Sequence, residues 1–121
     1  MSDPFINVRK ISPSQFSQNG ELLSAQQSSR GITYVVFYSS RCPHCHHYAP
    51  TFTRFSKLHP EVTTFAINVA ENNLSNINFP FSVSGVPMTA IYINSTPVGY
   101  LSGNKPMDRL EFSLMDTKKK L

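Results

Sequence analysis

The segment that most constrains the fold of this chain is Ile32–Tyr38, a seven-residue run that is almost entirely apolar or β-branched. Continuous apolar character over this length predicts a strand that is buried on both faces, as at the centre of a mixed sheet. Three residues later come Cys42-Pro43-His44-Cys45 and a helical pattern that runs to about Leu58. We therefore expect the two cysteines to lie where a central strand is followed by the start of a helix.

Cys42 and Cys45 are the only cysteines, so no other thiol is available for a structural cross-link. At a helix start, residues i and i+3 face the same side, within the separation of about 4.4–6.8 Å that bridged Cα atoms require. A helix N-terminus also favours the thiolate, which is the reactive form. The motif predicts a dithiol–disulfide couple in which Cys42 is the nucleophile and Cys45, on the apolar helix face, is the resolving thiol.

The neighbours of Cys42 are expected to tune this couple. Pro43 and His44 form the spacer, and the His44 imidazole can hydrogen-bond to the Cys42 sulfur or carry a positive charge beside it. Arg41 adds a positive charge directly before the motif. These groups stabilise a thiolate and therefore the reduced form, which makes the disulfide form a better oxidant.

The N-terminal part of the chain predicts three short elements. Phe5, Ile6 and Val8 indicate a first strand that ends near Ile11, and Ser12-Pro13-Ser14 is typical of a helix start. Asn19-Gly20 breaks that segment. A second helical stretch is expected from Glu21 to Gln27, with Leu22, Leu23 and Ala25 buried.

The C-terminal half predicts a buried strand from Thr63 to Val69 and then a polar segment, 70–86, that forms a short helix or a loop. Apolar residues anchor this segment, namely Leu74, Ile77, Phe79 and Phe81. A hairpin around Asn94-Ser95 follows, and Pro106 begins a last helix with Met107, Leu110 and Leu114 on one face.

Charge and hydropathy exclude some classes of function. The net charge is +4, but Lys118, Lys119 and Lys120 supply three of the eleven basic residues, and without them the balance is nearly even. We therefore expect a solvated basic tail and no nucleic-acid partner. The longest fully apolar run, from Tyr34 to Tyr38, is too short to span a bilayer, so no membrane partner is expected. No signal-peptide pattern is visible, which favours a cytoplasmic or other intracellular location unless a leader has been removed.

In the predicted order of its elements, and with Cys42 and Cys45 after the central strand, the chain resembles the thioredoxin family across essentially its whole length. Three local features support the resemblance, and they are Phe37-Tyr38 before the motif, Ala49-Pro50 after it and Gly85-Val86-Pro87 before the hairpin. The resemblance implies an α/β fold in one thioredoxin-like domain over residues 1–121, with a basic tail at 118–121. It implies a four- or five-stranded mixed sheet that is flanked by helices.

The spacer Pro43-His44 is similar to that of the strongly oxidising bacterial DsbA proteins, although no room exists between Val69 and Pro87 for their helical insertion. The chain also departs from thioredoxins. Val36 stands where they carry a buried acid that helps to deprotonate the resolving cysteine, and Ile67 stands at a position that is often lysine. Arg41 occupies the place of the usual tryptophan.

The resemblance implies a protein thiol–disulfide oxidoreductase that is more oxidising than a thioredoxin. It implies a cis peptide bond at Pro87, with the backbone of Val86 beside the disulfide, where it pairs with substrate, and Arg41 at the rim of the same surface. The partners would be protein thiols or disulfides and a sulfhydryl oxidase or a reductase. The alternatives are a reducing thioredoxin- or glutaredoxin-like enzyme and a redox-sensitive binding module.

Two cofactor hypotheses compete with this interpretation. Cys42 to His46 also fits the Cys-x-x-Cys-His pattern of c-type haem attachment, with Met88 or Met107 as the second axial ligand. Zinc could be held by the two cysteines together with His46, His47 or His59. Haem is not favoured, because a buried strand before the motif and Ala49-Pro50 after it match thioredoxins. Zinc is not favoured, because His46 and His47 lie on a single helix turn that does not easily close a tetrahedron. We expect no cofactor and no metal.

Overall fold

The computed structural model describes residues 2–23 and 31–121. Its regular elements are a 3₁₀ helix, four strands and two α-helices: Pro13–Gln15, β1 (Ile32–Tyr38), α1 (Pro43–Leu58), β2 (Thr63–Asn68), β3 (Met88–Ile93), β4 (Thr96–Ser102) and α2 (Met107–Lys118). The predicted central strand, the cysteine-containing helix, the hairpin and the last helix are thus confirmed.

The four strands form one mixed sheet in the order β2-β1-β3-β4. The central strand β1 pairs in parallel with β2 and antiparallel with β3. All seven residues of β1 are buried. The continuous apolar run therefore has the predicted cause, which is burial on both faces of a mixed sheet.

The two faces of β1 are covered in different ways. Tyr34, Val36 and Tyr38 point into a core that α1 and α2 share. Val35 and Phe37 point to the opposite side, into a second core that contains no residue of either helix. In the described part of the chain, side chains of the N-terminal segment and of residues 70–86 cover this second face. The expectation that residues 70–86 form a helix or a loop is resolved in favour of a loop.

Aromatic side chains hold that loop in place. Phe79 packs edge-on against Phe16 and Phe37, with ring centroids 5.2 and 5.4 Å apart. Phe81 lies 5.8 Å from Phe37. Leu74 is buried in the same core, as predicted.

The predicted first strand is wrong. Residues 4–7 form a turn in which Ile6 is 75% exposed, and the only strand-like contact of this segment is an isolated bridge between Lys10 and Ala66. Local polar groups favour the turn: the Lys10 ammonium donates to the carbonyl of Phe5 at 2.6 Å, and the Asp3 carboxylate accepts from the N–H of Phe5 at 2.9 Å. Of the four or five strands expected, four are present in the described part of the chain.

Of the two predicted N-terminal helices, the first is only a short helical turn and the described part of the second is not helical. Ser12 does begin a helical turn, and its N–H donates to Gln15 Oε1 at 2.7 Å, but the turn is a 3₁₀ helix of only three residues. It ends because Phe16 is extended and bridges Leu22. Leu22 is buried as predicted, Leu23 is 43% exposed, and residues 21–23 are not helical. The rest of the second predicted helix, with Ala25, lies outside the described residues.

The basic C-terminus is less free than predicted. Lys118 is the last residue of α2, and its ammonium lies 2.8 Å from the carboxylate of Glu61. The last helix is also joined to the sheet by a buried polar contact, since Tyr34 Oη lies 2.7 Å from Ser113 Oγ. None of the described helices is both long enough and apolar enough to cross a bilayer.

The packing of α1 can be tested by truncating one phenylalanine. Phe52 is fully buried on α1 and packs against the ring of Phe5, so Phe52→Ala should lower the free energy of unfolding by about 3–5 kcal/mol. Phe112→Ala makes the same chemical change on α2 at a side chain that is 61% exposed, and it should change stability by no more than about 0.5 kcal/mol. Urea unfolding of both variants measures the difference, and equal losses would contradict the burial described here.

Candidate active site

Cys42 is the N-cap residue of α1, and its backbone is extended. Its sulfur accepts the N–H of Cys45 at 3.2 Å. The same N–H also donates to the backbone carbonyl of Cys42 at 3.1 Å, and shared donors of this kind are common at helix ends. A donor aimed at the sulfur stabilises a thiolate more than a thiol, because the thiolate is the better acceptor. The start of α1 therefore offers the Cys42 sulfur a hydrogen-bond donor.

The loop before β3 lies across from Cys42. The Cys42 thiol donates to the carbonyl of Val86 at a distance of 3.5 Å. The peptide bond between Val86 and Pro87 is cis, and the Pro87 carbonyl accepts the N–H of Gly103 at 2.8 Å. The residues that the sequence placed beside the cysteine pair, Val86 and Pro87, are therefore brought to it by the fold.

Cys45 is fully buried in the core under α1, whereas Cys42 is only partly buried. Both are free thiols in this structure. Burial raises the pKa of the Cys45 thiol to about 12, and a hydrogen bond to Cys42 acts in the same direction. The backbone of Ser39 has the opposite effect. The pair thus combines an accessible thiol with a protected one that stays protonated at neutral pH.

The other predicted site residues lie in the first turn of α1 or directly before Cys42. Pro43 is the first residue of α1, and His44 and Arg41 are exposed on either side of Cys42. Among the described residues, the hydrogen bonds of the Cys42 sulfur involve Cys45 and Val86, and the His44 imidazole is not one of its partners. Val36 is fully buried in the same core as Cys45, so an apolar side chain occupies that place in β1.

The sequence interpretation missed two polar contacts that position α1. His46 Nε2 lies 2.6 Å from the carbonyl of Ser40 and donates to it, which ties the first turn of the helix to the segment before Cys42. Tyr48 Oη lies 2.8 Å from Thr89 Oγ1 in the buried interior. The helical spacing shows that Tyr48 is buried, but neither partner can be read from the sequence, because each contact depends on how α1 lies on the sheet.

Two observations bear on the competing cofactor hypotheses. Within residues 2–23 and 31–121, no three His, Cys, Asp or Glu side chains are grouped so that they could hold a metal ion. Of the two methionines considered as axial ligands of haem, Met88 packs in the second core, on the face of the sheet away from Cys45, and Met107 packs against the core that contains Cys45.

A mixed four-stranded sheet with two cysteines in the first turn of the helix that follows its central strand defines a dithiol protein of the α/β class. Comparison with known sequences gives the family. The thioredoxin family model matches residues 9–116. A thioredoxin from Alicyclobacillus acidocaldarius is 30% identical over 94 residues, which cover 75% of this chain and 88% of that protein. The chain belongs to the thioredoxin family.

A thioredoxin-like protein of Acanthamoeba polyphaga mimivirus is 26% identical over 80 residues, which cover 59% of this chain. The match spans only 58% of the length of that relative. Among solved structures, mitochondrial thioredoxin 3 from Saccharomyces cerevisiae superposes with a TM-score of 0.73 at 17% identity, over 94% of this chain and 99% of that one. Thioredoxin O2 from Arabidopsis thaliana gives 0.63 at 24% identity, over 91% of each chain. These superpositions confirm the predicted fold, and the family match with the cysteine pair supports a thiol–disulfide redox activity.

The raised pKa of Cys45 predicts how its reactivity depends on pH. Well below a pKa of about 12, the thiolate fraction of Cys45 grows about tenfold per pH unit, and so should the rate at which it attacks a mixed disulfide at Cys42. A mixed disulfide with thionitrobenzoate can be formed at low pH and then shifted to higher pH, with release of the coloured thiol as the readout. A rate that levels off below about pH 9 would contradict the effect of burial, and Cys45→Ser should release none.

Proposed function

We propose that this protein is a protein thiol–disulfide oxidoreductase in which Cys42 is the nucleophile and Cys45 is the resolving thiol. One observation carries the proposal: Cys42 Sγ accepts the Cys45 N–H at the start of α1, while the Cys45 thiol is fully buried one turn further along. Thiol–disulfide exchange needs an accessible thiolate and a second thiol that resolves the mixed disulfide without competing for substrate. The two environments supply those two roles.

In the oxidising direction, a substrate thiolate attacks the Cys42 sulfur of the Cys42–Cys45 disulfide. The bond between the two cysteines breaks, and Cys45 leaves as a thiolate that takes up a proton, as its raised pKa favours. A second substrate thiolate then attacks the substrate sulfur of the mixed disulfide and releases Cys42 as a thiolate. Two electrons pass to the cysteine pair, and a sulfhydryl oxidase would remove them. Run backwards, the same steps reduce a substrate disulfide, and a reductase supplies the electrons.

The Val86 carbonyl, 3.5 Å from the Cys42 sulfur, supports a role for this loop in holding substrate. An extended substrate segment that lies beside Val86 and Pro87 can hydrogen-bond to the Val86 backbone, as when a strand is added to a sheet edge. Arg41, exposed next to Cys42, borders the same surface.

The oxidising direction is our preferred one, as in the DsbA-like interpretation of Pro43-His44. Arg41, His44 and the N-terminus of α1 all favour negative charge on the Cys42 sulfur. The fully buried Val36 provides no carboxylate that could accept a proton from Cys45 during reduction of a substrate. The first effect stabilises the reduced form, in which Cys42 is a thiolate, and the second slows the deprotonation of Cys45 that reduction of a substrate requires.

The assignment of roles can be tested by trapping. Cys45→Ser should accumulate a mixed disulfide with a disulfide-containing protein, because no second thiol is present to release it. Cys42→Ser should form none, since Cys45 is buried. Non-reducing gel electrophoresis after an acid quench measures both. Accumulation by the Cys42→Ser variant would reverse the assignment, and the double variant serves as the background.

The preferred direction is tested by the reduction potential, which we expect to lie clearly above the thioredoxin value of about −270 mV. A shift of about 30 mV corresponds to about 1.4 kcal/mol for a two-electron couple, so modest stabilisation of the thiolate is sufficient. His44→Pro and Arg41→Trp should each lower the potential, measured by equilibration with glutathione buffers. A wild-type value at or below about −270 mV would favour the reducing enzyme instead.

A further inference from the structure

A polar cavity of about 390 Å³ lies beside the proposed nucleophile. Six residues line it, and they are Ser39, Ser40, Arg41, Asn68, Ala70 and Glu71. They come from the segments that follow the parallel strands β1 and β2. Arg41 immediately precedes Cys42 in the chain, so the lining of the cavity ends one residue before the proposed nucleophile.

Two opposite charges line this cavity without neutralising each other. Arg41 and Glu71 are both exposed, and no salt bridge connects either of them to another of the described residues. The guanidinium and the carboxylate are therefore more than 4.0 Å apart. Neither charge is neutralised by an ion pair within the described residues, so both can interact with a ligand.

Hydrogen bonds hold the walls of the cavity, and one of them ends on the carboxylate of Glu71. Asn68 Nδ2 donates to Glu71 Oε1 at 3.0 Å and to Ser40 Oγ at 3.3 Å, so one amide links the two sides. The backbone N–H of Arg41 donates to Ser39 Oγ at 3.3 Å. Glu71 has accepting capacity to spare, since a carboxylate has about four acceptor sites, and the guanidinium of Arg41 has five donors.

A cation, an anion and two hydroxyl groups in one cavity are complementary to a zwitterion. An α-amino-acid group carries a carboxylate that matches a guanidinium and an ammonium that matches a carboxylate. Residues inside a protein chain do not carry these two charges on one carbon. Glutathione does carry them, at its γ-glutamyl end, and its cysteinyl sulfur lies at most about two extended residues away, roughly 7 Å.

We propose that this cavity binds the γ-glutamyl end of glutathione, and that glutathione mixed disulfides and glutathione disulfide are substrates of the Cys42 site. The proposal rests on the thiol–disulfide exchange proposed above and adds its substrate class. The Arg41 guanidinium binds the α-carboxylate, and the Glu71 carboxylate binds the α-ammonium. This places the glutathionyl sulfur against Cys42.

The exchange balances as follows. The Cys42 thiolate attacks the glutathionyl sulfur, a Cys42–glutathione disulfide forms, and the other sulfur leaves as a thiolate that is protonated by solvent. Cys45, after losing its proton, attacks the Cys42 sulfur and releases glutathione as a thiolate. The substrate disulfide gains two electrons and the cysteine pair becomes a disulfide. A second thiol reductant, such as two molecules of glutathione, returns the pair to the dithiol.

The test measures single-turnover rates of the reduced protein with three disulfides. Glutathione disulfide carries the zwitterion, the disulfide of glutaryl-Cys-Gly lacks only the ammonium, and bis(2-hydroxyethyl) disulfide lacks both charges. Rates are divided by the rate with the hydroxyethyl compound, which cancels any change in the nucleophilicity of Cys42. Because the chain has no tryptophan, acid quench and chromatography of the released thiol replace fluorescence.

We expect Arg41→Gln and Glu71→Gln each to lower the ratio for glutathione disulfide about 3- to 10-fold. Arg54→Gln, which removes an exposed arginine of α1 that does not line the cavity, should leave the ratio unchanged. With the wild type, the glutaryl compound should react more slowly than glutathione disulfide. With Glu71→Gln, the two compounds should react at the same rate, because the ammonium and the Glu71 carboxylate form one interaction that either change removes.

Two negative outcomes are distinguishable. If the hydroxyethyl disulfide is reduced but the ratios are the same in all variants, exchange occurs at Cys42 and the glutathione subsite is rejected. If the wild type reduces none of the three disulfides, thiol–disulfide exchange is rejected, and the subsite with it.

Discussion

The burial of β1 between two partner strands and two packed faces is the constraint on which the rest of the structure depends. Its backbone groups pair with β2 on one side and β3 on the other, and its side chains fill both cores. The strand ends at Tyr38, whose carbonyl accepts the N–H of Val69 at 2.8 Å. Pairing with β2 thus continues past the strand and sets where the chain leaves the sheet for Cys42.

The same strand explains why Val86 meets Cys42. Phe37 in β1 lies opposite Met88 in β3. The chain leaves β1 just after Phe37 and enters β3 just before Met88, so the segments with Cys42 and with Val86-Pro87 emerge at the same edge of the sheet. A pairing register, set by hydrophobic burial, brings together residues 44 positions apart.

A displacement of one helical turn gives the two cysteines different chemistry. Cys42, at the N-cap, accepts a backbone N–H and is partly accessible. Cys45, three residues later, is the first buried residue of α1 and is surrounded by the core. The N-cap residue Cys42 precedes the helix, whereas Cys45, one turn later on the same face of α1, lies against the sheet. The proposed division between nucleophile and resolving thiol rests on this placement.

The sequence by itself determined the elements whose signals are local. The apolar run of β1, the helical spacing from Cys45 to Phe55 and the turn at Asn94-Ser95 each identify an element without knowledge of the rest of the chain. The predicted site at Cys42 and Cys45 came from the same kind of evidence, because spacing and helix position are local properties.

Tertiary structure decided what depended on partners distant in sequence. The segment of Phe5 to Val8 has the composition of a strand, but Lys10 and Asp3 hydrogen-bond its backbone into a turn, and such a competition is not visible in hydrophobic periodicity. Arg41 and Glu71 are thirty residues apart in sequence and line one cavity only because β1 and β2 are parallel neighbours. Local patterns fix the backbone of an element, whereas a site formed by several loops depends on strand order and register, which are properties of the assembled sheet.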